Sequence, residues 1–133
     1  MFERMSALQK TADKYRGRAF AWGETDCVKM ARSHLRNMGH RPPKMPAYRS
    51  AIGARRALAS TGHDTLEALI DSLLPRIAPA EMLAGDLALL PGEAPFDALA
   101  ICVGRKLMCW REDVDEMVML SVRGDEIKAA WRV

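Results

Sequence analysis

The sequence predicts an α+β domain, with N-terminal helices packed on one face of a C-terminal antiparallel β-sheet. Up to Pro75, apolar residues recur at spacings of three and four between residues that start and stop helices. From Asp86 onward they fall into short runs separated by turns that contain glycine or proline. The last run alternates strictly, with Ile127, Ala129, Trp131 and Val133 on one face and Lys128 and Arg132 on the other. Helices first and strands second is the order of an α+β domain, and here they form a single one over residues 1–133.

Taken in order, residues 2–16 read as a helix. Phe2, Met5, Leu8, Ala12 and Tyr15 face inward, while Glu3, Arg4, Lys10, Asp13 and Lys14 lie mostly outside, and Gly17 ends the run. A second helix runs from Val28 to Met38, capped by Asp26 or Thr25 and stopped by Gly39; Cys27, Val28, Ala31 and Leu35 are its apolar stripe. Three prolines within Arg41-Pro42-Pro43-Lys44-Met45-Pro46 enforce an extended connection. Ala51 to Ala59 is a short helix with Ile52 and Leu58 inward and Arg55 and Arg56 outward. Asp64-x-x-Glu67 has the form of a capping box for a helix from Thr65 to Leu74, ended by Pro75. The strands expected after it are Asp86–Leu90, Ala98–Val103, Leu107–Trp110, Met117–Val122 and the final alternating run, joined as a meander.

Composition narrows the function classes. With 49% hydrophobic and 28% charged residues, the chain has the balance of an ordinary globular domain. No apolar run is long enough to span a membrane, and Met1-Phe2-Glu3-Arg4 opens an amphipathic segment, so no signal peptide is read. Cys27, Cys102 and Cys109 contain no C-x-x-C pair; they argue against a disulfide framework and a zinc site and fit synthesis in a reducing cytoplasm. Cys102 and Cys109 are spaced to lie on neighbouring strands and read as small buried hydrophobes. The net charge of +3 is unevenly spread: residues 1–60 hold 13 basic and 4 acidic residues, residues 61–133 hold 7 and 13. The basic residues stand at helical spacings, which reads as solvated helix faces rather than a nucleic-acid footprint, and a chain of two signs suits head-to-tail docking.

The stretch with chemical content is Phe20-Ala21-Trp22-Gly23-Glu24-Thr25-Asp26-Cys27. It places a cysteine at a capped helix start, where free backbone N–H groups and the positive end of the helix dipole favour thiolate. Trp22 suits either a groove wall or a lid on the core. Trp22-x-x-x-Asp26-Cys27, then Gly85-Asp86-Leu87-Ala88-Leu89-Leu90, then Ala98-Leu99-Ala100-Ile101-Cys102-Val103-Gly104, resemble the layout of the NlpC-like, papain-like cysteine peptidases. From about residue 17 to the terminal Ala130-Trp131-Arg132-Val133, the chain resembles a family of small proteins encoded among bacteriophage and prophage tail genes.

The resemblance implies Cys27 as nucleophile and a catalytic histidine at the start of the strand where this chain has Ala98. A cysteine hydrolase needs a base for the thiol and an acid for the leaving amine. His34 is about 10 Å along the helix from Cys27 and reads as a surface residue; His40 follows the helix stop. His63, in a Gly-His-Asp turn, is the remaining candidate base. Asp97, beside Ala98, is a candidate binding residue with Trp22 and Asp26, but a carboxylate titrating near about pH 4 is a weak base. Asp86 reads as a structural acceptor of backbone N–H bonds. The expectation is therefore a degenerate peptidase fold, without cofactor or metal, in a phage virion at the tail tip or baseplate. Its expected partners are other hub proteins and peptidoglycan, without nucleic acid. The alternative is an active cysteine endopeptidase or amidase on peptidoglycan stem peptides, using Cys27 and His63.

Overall fold

The computed structural model describes residues 2–92, 97–110 and 115–133. Four helices precede the strands: α1 (Phe2–Tyr15), α2 (Cys27–Asn37), α3 (Ala51–Ser60) and α4 (Leu66–Leu73). The strands are β1 (Arg76–Ile77), β2 (Leu87–Leu90), β3 (Ala98–Cys102), β4 (Leu107–Cys109), β5 (Val118–Leu120) and β6 (Ala129–Trp131). They form one antiparallel sheet in the order β1-β6-β2-β3-β4-β5. The α+β expectation holds, with helices on one sheet face. The meander is real for β2 to β5, but the last strand does not extend it. β6 returns to lie between β1 and β2, pairing Leu87 with Trp131 and Arg76 with Trp131. Among the described residues, no helix is long and apolar enough to cross a membrane.

Alternation along the strands divides the interior in two. Leu87, Leu89, Leu99, Ile101, Met108 and Trp131 face the helices and meet Leu8, Tyr15, Met30, Leu35, Leu58 and Ile70. Ala88, Ala100, Cys102, Leu107 and Cys109 lie on the opposite face, covered in part by Met82, Leu120, Val122 and Ile127. Ile127 thus belongs to the other face from Trp131, because regular strand geometry begins only at Ala129. Cys102 and Cys109 are both buried.

Local chemistry explains the helix ends and corrects several inward and outward assignments. Asp26 caps α2, Ser50 caps α3 and Thr65 caps α4, each accepting a backbone N–H three residues on. Asp64 is therefore one residue too early for the α4 cap, and Glu67 turns instead to Arg76 at 2.9 Å. Arg76 also pairs with Asp71 at 2.7 Å and lies over the Trp131 ring, whose Nε1 donates to Asp71 at 2.8 Å. Ile52 is 69% exposed, because it shares its side of α3 with Arg55 and Arg56 while Ala54, Ala57 and Leu58 make the buried side. Met5 is 48% exposed; Ala7 and Thr11 take up the interior positions on α1. The side chain of Phe2, assigned inward from its spacing, lies outside the described residues.

Arg4 turns inward rather than out. Its Nε donates to Ala84 O at 2.7 Å and its Nη2 pairs with Asp86. Asp86 is fully buried and also accepts from Arg132 Nε at 3.0 Å, Leu83 N at 2.8 Å and Val133 N at 3.0 Å. The expected backbone acceptor is there, and two guanidinium groups accompany it. A Cβ on Gly85, at φ +98°, would stand 3.3 Å from Arg4 Nε, so glycine lets the arginine lie against the turn.

His34 is a second correction: it is buried, not a surface residue. Its Nε2 lies 2.8 Å from Gly85 O, which can only accept, so Nε2 carries a proton. Nδ1 lies 3.0 Å from Thr11 Oγ1, a hydroxyl that also approaches Ala7 O at 3.0 Å and accepts from Asn37 Nδ2 at 2.9 Å. Burial first, and then the charges of Arg4 and His40, push the imidazole below its ordinary value; the Gly85 carbonyl and Asp86 oppose them. The folded state therefore binds this proton less readily than the unfolded chain. Stability from neutral His34 is complete above the ordinary value of 6.5 and is lost as pH falls from there toward the lower folded value. We expect urea melts to show stability falling with pH in that window, by at most about 1.4 kcal/mol per pH unit, and this slope to be flattened in His34→Gln.

Candidate functional site

The site grows from the cap of α2. Asp26 is buried, and its two oxygens are fully engaged. Oδ1 accepts Lys29 N at 2.8 Å; Oδ2 accepts Gly23 N at 2.8 Å and the Tyr48 hydroxyl at 2.7 Å. Thr25 Oγ1 donates to Ala19 O at 2.5 Å, and Ala21 and Thr25 exchange backbone bonds, which closes the loop on itself. Gly23 has φ +80°, and a Cβ there would fall 1.8 Å from Tyr48 O. Only glycine admits this approach, so residues 23–26 are clamped to the proline-rich connection at Tyr48. The buried Tyr48 hydroxyl, donating to a carboxylate, is pushed well above its ordinary value by burial and by that hydrogen bond.

Cys27 is the first residue of α2, as its position behind the cap requires. The residue is half-buried, and its thiol is packed against the helix-facing core. Burial raises the thiol from 9.0 to about 11, and the neighbouring Asp26 carboxylate adds to the rise. Hydrogen bonds from the backbone of Leu99, Cys27 and Val28 act the other way and lose. The thiolate expected from the helix start is thus outweighed by desolvation and by the cap's own negative charge. Among the described residues no imidazole is hydrogen-bonded to this sulfur.

Trp22 is half-buried and packs with Tyr48, Met45, Ala54 and Ala57. Its ring meets Phe20 edge-on at 5.0 Å, and Phe20 in turn meets Trp110 at 6.3 Å. This aromatic run lies on the loop leading to Cys27, so Trp22, Asp26 and Cys27 share one clamped loop. The other two candidates lie on other connections of the chain. Asp97 pairs with Lys128 Nζ at 2.6 Å and accepts Gly92 N at 3.3 Å, in the connection between β2 and β3. His63 is half-buried in the turn between α3 and α4. Ala98, where the peptidase layout has its base, opens β3 opposite Leu90 and carries only a methyl group. Among the described residues, no group of three or more His, Cys, Asp or Glu is placed to hold a metal.

Sequence reasoning missed Tyr48. A tyrosine after a proline-rich stretch carries no periodic signal, and its partner is 22 residues away. As it stands, the site has a protonated thiol, a saturated carboxylate and an aromatic wall. Those groups can bind through shape and hydrogen bonding; none of them, as placed, exchanges a proton with the thiol near neutral pH.

The family described as "Domain of unknown function (DUF6950)" matches residues 3–133. No curated protein matches the chain in sequence. Among solved structures, the P60 domain of an antigen from M. avium paratuberculosis is similar at 17% identity and a TM-score of 0.57, covering 99% of this chain and 96% of that one. The resuscitation promoting factor interacting protein RipA is similar at 15% identity and a TM-score of 0.59; the match covers 98% of this chain and 63% of RipA, less than two thirds of its length. RipD from Mycobacterium tuberculosis is similar at 15% identity and a TM-score of 0.52, covering 98% of this chain and 97% of RipD. RipD is described as a non-catalytic NlpC/p60 domain protein adapted to peptidoglycan binding. At these identities the likeness concerns the fold, which is that of the NlpC/p60 domains.

Proposed function

This chain belongs to the DUF6950 family, and on that premise we propose that it is an NlpC/p60-type domain that works by binding rather than hydrolysis, as a component of a bacteriophage or prophage tail tip or baseplate. The observation that carries this reading is the surroundings of Cys27: burial and the Asp26 carboxylate hold its thiol near about 11, and among the described residues no imidazole is hydrogen-bonded to it. A thiol peptidase in that state lacks both the nucleophile's base and the leaving group's acid. Ala98 at the position of the base supports the same reading. The virion setting rests on the resemblance of residues 17–133 to tail-gene products, and its partners would be neighbouring hub proteins and peptidoglycan. RipD lends the precedent of an NlpC/p60 fold described as binding without catalysis.

The purified chain is expected to sediment with insoluble peptidoglycan while releasing no stem peptide, and Cys27→Ala is expected to bind equally well. Stem-peptide release that disappears in Cys27→Ala would overturn the reading. If release also disappeared in His63→Ala, the Cys27–His63 peptidase would take its place.

A further inference from the structure

The basic residues of the helical half, read from sequence as dispersed over solvated faces, are gathered in part by the fold. Lys29, Arg32 and Arg36 stand on one side of α2 at spacings of three and four. Lys14 Nζ on α1 bonds Ser33 Oγ at 3.2 Å, which brings a fourth cation beside them. Arg32 Nε reaches Pro43 O at 3.5 Å, which lays the connection carrying Lys44 alongside the same helix. Among the described residues none of these five cations has an ion-pair partner; Lys29 lies over the Tyr48 ring instead. α2 itself carries no acidic side chain, and Asp26, which caps it, is buried.

The complementary surface lies at the β5 edge of the sheet. Asp115 and Glu116 are exposed just before β5, and Asp125 and Glu126 are exposed after it, Asp125 paired with Arg123 at 2.8 Å. Met119, 41% exposed, stands between the two acidic pairs. β5 pairs with β4 and ends the sheet, while the residues just before it bond residues 18–20 through backbone, Phe20 N to Asp115 O at 3.3 Å and Met117 N to Arg18 O at 3.1 Å. One chain thus carries a cationic stripe on the helical layer and exposed acidic side chains on both sides of β5.

We propose that the α2 stripe of one copy docks on the acidic β5 edge of a second copy, giving a heterologous, head-to-tail contact. Two different patches meet in such a contact, so copies add in one direction into a ring or a filament rather than closing as a two-fold dimer. The net charge of only +3 leaves little overall repulsion to oppose it. This surface does not involve Cys27, so its test is independent of the site's chemistry.

Sedimentation velocity of the whole chain at about 100 µM tests it across ionic strength, because screening shrinks from about 30 Å at 0.01 M to about 3 Å at 1 M. Association is expected at low salt and at least about tenfold weaker at high salt. The double variants Arg36→Glu/Lys44→Glu and Asp115→Lys/Glu116→Lys should each be monomeric under the low-salt conditions. An equal mixture of the two should associate again, which also shows that both are folded. A wild-type monomer at low salt, or association unchanged in either variant, would overturn the proposal. Retention of a labelled single-stranded oligonucleotide by monomers would also overturn it and assign the stripe to phosphate.

Discussion

Asp86→Ala is expected to lower unfolding stability by about 3 kcal/mol, the lower end of the range for removing one partner of a buried ion pair. The lower end applies because Arg4 and Arg132 keep 20% and 38% of their side-chain surface in water and recover part of their hydration. The remaining loss comes from the carboxylate's other work. It holds Leu83 N and Val133 N, and with Arg4 it joins α1 to the turn before β2. Asp86→Asn keeps the shape and one acceptor oxygen but no charge, so it should fall between wild type and Asp86→Ala. Urea midpoints at constant m-value measure both. A loss below about 1 kcal/mol in Asp86→Ala would mean that the arginines are held by solvent rather than by this carboxylate.

Gly23→Ala should have a comparable effect by another route. The left-handed backbone at φ +80° costs a non-glycine residue about 1–3 kcal/mol, and the new methyl would collide with Tyr48 O at 1.8 Å. That contact is with backbone at a buried position, so relief requires the loop and the connection to separate. We expect a total loss of about 3 kcal/mol, accompanied by a change in Trp22 fluorescence as its packing against Tyr48 and Met45 opens. Tyr48→Phe removes the hydroxyl and leaves the clamp's backbone intact; its cost should be nearer about 1.5–2 kcal/mol, the lower end for one hydrogen bond to a charged group. Equal losses in the two variants would place the clamp in the hydrogen bond rather than in the close approach.

The parts of this fold legible in the sequence are those that local rules dictate. Four helices follow from spacings of three and four, and the cysteine at a helix start follows from the Asp26 cap. Strands β2 to β5 follow from apolar runs between turns. Long-range partners left no such trace. The two-residue β1 is too short to have a period, and the insertion of β6 between β1 and β2 is a choice among edges that no local pattern encodes. Arg4 was placed outside because it is charged, although Arg4, Leu8, Thr11 and Tyr15 are spaced by four, three and four along one stripe of α1. His34 stands between Met30, Ala31 and Leu35 in the apolar stripe of α2, and its carbonyl partner is 51 residues away. In both cases spacing was the better guide, and residue type misled. At Cys27, the helix start argued for thiolate, while the burial that reversed the outcome depends on β3 packing over the sulfur.

The state of that sulfur separates a binding domain from a working peptidase, and its titration measures it directly. Alkylation of Cys27, followed by mass spectrometry of its peptide as pH is raised, is predicted to accelerate through the alkaline range without levelling off, toward a midpoint near about 11. A plateau reached below about pH 7.5, the mark of a thiolate paired with an imidazolium, would contradict the binding-domain assignment and restore Cys27 as a nucleophile.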